Sequence, residues 1–127
     1  MTAGTQRLLM PPVSGALAEL RRWARSWLEE HPTHGVDPDH VVLSMTELVT
    51  NSITHGAGPV DVELTVDTGN LRLFVSDCSQ ALPQRLDLTG EAQTGRGILI
   101  LESLATSWGV RPEASGGKTV WCEFASR

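Results

Sequence analysis

The sequence predicts an α+β protein, a two-layer α/β sandwich in which a mixed, mainly antiparallel sheet carries its helices on one face. Three observations lead there. Residues 60–76 alternate apolar and polar side chains on either side of one turn, as an antiparallel hairpin does. Two earlier stretches repeat apolar residues at three- and four-residue intervals, as amphipathic helices do. The whole chain reads in the order β-α-α-β-β-loop-α-β-β, which an antiparallel sheet covered on one side satisfies.

The elements follow in order. A short strand is expected around Thr5 to Met10, and Pro11-Pro12 ends it. Ser14 is placed to cap the first helix, where Leu17, Leu20, Ala24, Trp27 and Leu28 share a face and Glu19, Arg21, Arg22 and Arg25 take the wet side. His31-Pro32 and Gly35 stop it. Asp37 before Pro38 is a cap with proline at the first helical position, opening a second helix that runs to about His55 and is closed by Gly56 and Gly58-Pro59. Val60, Val62, Leu64 and Val66 then alternate with Asp61, Glu63, Thr65 and Asp67. After the turn at Asp67-Thr68-Gly69-Asn70, Leu71, Leu73 and Val75 alternate again. Residues 78–94 show no period and read as a loop; Gly95-Arg96-Gly97 opens an apolar helix to about Ser103. A last hairpin pairs Ser107–Arg111 with Thr119–Ala125 about Ser115-Gly116-Gly117.

Composition narrows the function. The 127 residues carry 10 Lys plus Arg against 15 Asp plus Glu, a net charge of -5, which argues against nucleic-acid binding through a broad basic face. One domain spanning 1–127 is the expectation at this length, and no disulfide or metal staple is needed to fold it. The longest apolar run, Ile98 to Leu101, is far too short to span a membrane. Ala16-Leu17-Ala18 looks superficially like a signal-peptidase site, but only Arg7 precedes it among basic residues and Pro11-Pro12 interrupts the apolar region, so a cytoplasmic protein is expected. Cys78 and Cys122 fit that compartment as reduced thiols, with no neighbouring ligands at zinc spacing. Nine of the ten basic residues are Arg and one is Lys, Lys118.

The second helix carries two faces. At about 100° per residue, Val41, Val42, Met45, Leu48, Val49 and Ile53 form an apolar stripe. Glu47, Asn51 and His55, each four residues apart, align on another. A carboxamide oxygen there can ligate a hard cation such as Mg²⁺, and a carboxylate one turn away can take a proton from an attacking hydroxyl. The same spacing also arises by chance on a solvated face. His55, at the helix end before a glycine, suits the negative end of the helix dipole better than catalysis.

Taken together, Glu47-Leu-Val-Thr-Asn51 through His55-Gly56, the strand ending Phe74-Val75-Ser76-Asp77, Gly95-Arg96-Gly97-Ile98, Trp108-Gly109-Val110 and Gly117-Lys118-Thr119-Val120-Trp121 closely resemble, in this order, the Bergerat-fold (GHKL) ATP-binding superfamily. Within it the chain is similar to the small anti-sigma-factor serine/threonine kinases and their actinobacterial relatives, from about Ser14 to Phe124. The resemblance implies ATP and Mg²⁺ as ligands. It makes Glu47 the general base toward the accepting hydroxyl and Asn51 the Mg²⁺ ligand. It makes Asp77 the acceptor of the adenine amino group, a buried acceptor there discriminating against guanine. Gly95 and Gly97 become the backbone approach to the phosphates, Thr119 part of the adenine pocket, and residues about 78–94 the ATP lid. Arg96 then either meets phosphate oxygens or is solvated.

Each residue also has a plainer reading. Asp77 can end a strand, the two glycines can mark a loop-to-helix junction, and Thr119 suits a strand. Trp108 and Trp121 read as core, and Lys118 as surface. The family's Asp-x-Gly-x-Gly run is here Asp77-Cys78-Ser79-Gln80-Ala81, so backbone angles reserved for glycine are lost after Asp77. The reading that follows is an anti-sigma-type kinase that binds Mg-ATP and phosphorylates a serine or threonine of a STAS-domain anti-anti-sigma partner, so governing a sigma factor by partner switching. The rival is a binding module that holds a regulatory partner with nucleotide weakly bound or absent. A histidine-kinase catalytic domain fits less well, because 127 residues leave no room for a phosphoacceptor helix pair. A homodimer is an expectation of the resemblance alone.

Overall fold

The computed structural model describes residues 3–55, 57–78 and 100–125 of the chain. The elements are β1 (Gly4–Met10), α1 (Leu17–Glu30), α2 (Pro38–His55), β2 (Val60–Asp67), β3 (Asn70–Asp77), β4 (Ser107–Pro112) and β5 (Lys118–Ala125). Residues 100–104 are helical, which agrees with the end of the third expected helix. The strands form one five-stranded sheet in the order β1-β2-β3-β5-β4, and every pairing is antiparallel. The expected loop 78–94, beyond Cys78, and Gly95, Arg96 and Gly97 lie outside the described residues.

The sequence pattern accounts for most element boundaries. Asp37 caps α2 as expected, its Oδ1 accepting from the Asp39 backbone N–H at 2.9 Å. Ser14 does not cap α1. It begins a single 3-10 turn over Ser14–Ala16, and neither that turn nor α1 has a side-chain cap. The tight turn carries the chain away from Pro11-Pro12 before the α-helical hydrogen bonds start. At the other end of α1, the His31 N–H reaches the Trp27 and Leu28 carbonyls and its ring stacks on Trp27, 4.3 Å between centroids.

Strand parity sorts the sheet. Val60, Val62, Leu64 and Val66 of β2 with Leu71, Leu73 and Val75 of β3 are buried under the helices. Val120, Cys122 and Phe124 of β5 share that side. Against them pack Leu20, Ala24, Trp27 and Leu28 of α1 and Val41, Met45, Leu48 and Val49 of α2. The opposite face carries paired charges, with Arg7 on Asp61 and Arg72 Nε on Glu123 at 2.8 Å. Trp108 packs against the core as expected, whereas Trp121 is half-buried on the outer face, where its indole covers Gly109. The odd residues of β5 point away from the helices, so the step from Val120 to Trp121 changes face.

Candidate functional site

Three segments converge where β3 ends. The Cys78 backbone N–H donates to the carbonyl of Ala57, just beyond α2, at 2.8 Å. Gly58 adopts φ +72°, and a Cβ there would sit 2.8 Å from Cys78 Sγ, so glycine serves both the turn and the contact. From the other side comes the start of β5. A Cβ on Gly117 would collide with the Asp77 carbonyl oxygen and lie 3.1 Å from the Cys78 Cα. Gly117→Ala is therefore expected to force the strand ends apart at a cost of about 1–3 kcal/mol. Thermal unfolding should register a fall of roughly 3–15 °C in Tm, and an unchanged Tm would mean the strands are not clamped here.

At that junction Asp77 and Lys118 are directly opposite on the last rung of the β3–β5 ladder. Both are nearly buried, at 6% and 7% exposed. Lys118 Nζ donates to Asp77 Oδ1 at 3.0 Å and to Oδ2 at 2.9 Å. Lys118 is thus not the surface residue its type suggests. Counting back along β5 from Phe124, Cys122 and Val120 brings Lys118, not Thr119, onto the face that holds Asp77.

Thr119 lies on the other face, opposite Ser76, and is buried there in a hydrogen-bonded chain. Its hydroxyl donates to Glu113 Oε1 at 2.8 Å. A threonine has one hydroxyl proton, so Ser76 Oγ, 2.7 Å away, is the donor to Thr119. The Thr119 hydroxyl and, after it, Arg111 hold the Glu113 carboxyl below the usual range. The hydroxyl assigned to an adenine pocket by resemblance is committed to this chain.

On α2, Glu47 and Asn51 are half-buried and His55 is exposed. Among the described residues, two buried side-chain atoms have no hydrogen-bond partner, Ser44 Oγ and Asn51 Nδ2. A buried amide nitrogen left unpaired in this way is costly unless something else engages it. A half-turn of the amide aims its oxygen from the same place, and that oxygen is a ligand for a hard cation. The residues present therefore fit a Mg²⁺ site at Asn51, with the Glu47 carboxylate one helical turn earlier on the same face.

The model of the histidine kinase-like ATPase domain family matches residues 10–124. The chain belongs to that family. Two solved structures resemble it over 96% of its length. One holds the RsbU and RsbW domains of Rv1364c from Mycobacterium tuberculosis, with TM-score 0.73 and 20% identity. The other is the Acinetobacter baumannii histidine kinase AdeS, with TM-score 0.58 and 14% identity. Identities this low establish a shared fold. The chain spans 32% of the first of these proteins and 68% of the second. No curated protein matches the sequence. Among the described residues, no helix is long and apolar enough to cross a membrane.

The structure puts Asp77 at the end of β3 and Glu47 and Asn51 one turn apart on α2, where the sequence places them, whereas Lys118, read as surface, is nearly buried. The signal was available in the alternation of β5, where Lys118 keeps the parity of three inward apolar residues.

Proposed function

We infer that this histidine kinase-like ATPase domain is an anti-sigma-type serine/threonine protein kinase that uses Mg-ATP and phosphorylates a STAS-domain anti-anti-sigma partner. The observation that carries the reading is Asn51, whose carboxamide nitrogen is buried without a partner, one turn from Glu47 on the second helix of an ATPase domain. The structural likeness to a protein containing RsbU and RsbW domains supports a partner-switching role. Bound Mg²⁺ supplies charge neutralisation on the phosphates. Asn51 would hold it, Asp77 would accept from the base, and Glu47 would take the proton of the accepting hydroxyl. As that proton leaves, the new oxygen–phosphorus bond forms and the bond to the leaving diphosphate breaks. Gly95, Arg96 and Gly97 are assigned to the phosphates and Thr119 to the adenine pocket by resemblance. The residue that faces the same way as Asp77 is Lys118. Work in the cytoplasm and a homodimer belong to the same reading.

A second reading, a nucleotide-free docking module that sequesters a regulatory partner, is favoured by the Asp77 carboxylate being already met on both oxygens by Lys118. Calorimetric titration of ATP, with and without Mg²⁺, into wild type and Asn51→Ala separates the two. Micromolar binding of about −8 kcal/mol, weakened roughly tenfold or more by removing Mg²⁺ or the Asn51 side chain, is the expected result. Absence of binding to wild type in every condition would leave the docking module.

A further inference from the structure

Lys118 is the chain's sole lysine, and the fold spends it in a nearly buried position rather than on the surface. An ammonium has three N–H donors and no acceptor. Asp77 meets the ammonium on one side with both its oxygens, and no described residue takes a further donor. Burying a charged donor without a partner is costly, so a site of this kind calls for an acceptor. We propose that Lys118 reads the nucleobase beside Asp77, donating to ring nitrogen N1 of adenine while Asp77 accepts from the neighbouring amino group.

The proposal rests on the nucleotide-site reading and adds to it a residue that recognises the base. Its geometry comes from the last rung of the β3–β5 ladder. Asp77 and Lys118 are cross-strand partners on the helix-side face, with acceptor and donor 2.9–3.0 Å apart. Adenine presents the complementary pair, an amino donor beside a ring acceptor, on adjacent atoms. The collision that any side chain at Gly117 would meet with Asp77 fixes the strand ends at this spacing. The compact ammonium matters too, since an arginine fork would spread its donors over a wider front.

The test compares ATP with 1-deaza-ATP, which keeps the amino group and lacks the N1 acceptor. Titration into wild type is expected to show 1-deaza-ATP binding weaker by roughly tenfold to a hundredfold, the range for a hydrogen bond from a charged donor. In Lys118→Met the two ligands should bind alike, and Lys118→Arg should recover part of the difference. Equal binding of both ligands to wild type, or a difference that persists in Lys118→Met, overturns the proposal. A second measurement needs no variant. With one lysine in the chain, ¹⁵N-lysine labelling yields one side-chain Nζ signal. That signal is expected to shift on adding ATP and to shift differently with 1-deaza-ATP; identical responses count against the contact. Failure of wild type to bind ATP at all is a separate outcome, because it removes the nucleotide site itself.

Discussion

Asp77→Leu and Lys118→Met are each expected to cost about 3–5 kcal/mol of stability, because either leaves one member of a buried ion pair without the other. Both groups are under 10% exposed, so solvent screens the pair little. For a domain of this size the loss corresponds to a fall of roughly 10–20 °C in Tm. The informative variant is the double one. Asp77→Leu with Lys118→Met replaces two desolvated charges by apolar side chains on the inward face that already holds Val75 and Val120. Burial of the pair in its charged form is expensive, so the double variant should be more stable than either single and close to wild type. Chemical denaturation of the four proteins closes the cycle and cancels whatever else each residue touches. Losses that simply add would show that Asp77 and Lys118 are uncoupled. A stable double variant would carry a second message, that selection keeps the charges for a ligand and not for the fold.

The sheet was legible because its strands repeat with period two and their turns carry glycine. Leu71, Leu73 and Val75 predict their own burial, and Asp77 continues their parity to the end of the strand. The second helix was legible from Asp37-Pro38 at one end and Gly58 at the other. The start of α1 was not, because Ser14 has the chemistry of a cap while the backbone after a double proline takes a 3-10 turn first. Lys118 was misread for a different reason. Residue type argues for solvent, and only the partner across the rung, 41 positions away, makes burial affordable. Thr119 shows the same dependence on parity. One step along β5 moves it to the outer face, where Ser76 and Glu113 engage its hydroxyl. Asn51 was legible as a residue to watch, since its spacing from Glu47 is visible in the sequence. That its carboxamide nitrogen is buried and unpaired is a property of the packing.

The candidate site is therefore split between a helix and a rung of the sheet, joined by the hydrogen bond from Cys78 to Ala57. This division lets binding and transfer be separated by mutation. Glu47→Ala is expected to lower phosphoryl transfer to a STAS-domain partner by roughly a hundredfold to ten-thousandfold, the contribution of a general base, while ATP binding changes little. Alanine is the best helix former and Glu47 is half-buried in the interior of α2, so the substitution should not unfold the helix that carries Asn51. Asn51→Ala should do the reverse and weaken Mg-ATP binding first. The readout is transfer of the labelled terminal phosphoryl group under saturating ATP, with calorimetry on the same samples. Transfer retained in Glu47→Ala would remove it from the base role. A parallel loss of binding would instead assign Glu47 to the ligand, and the proton would then need another acceptor near α2.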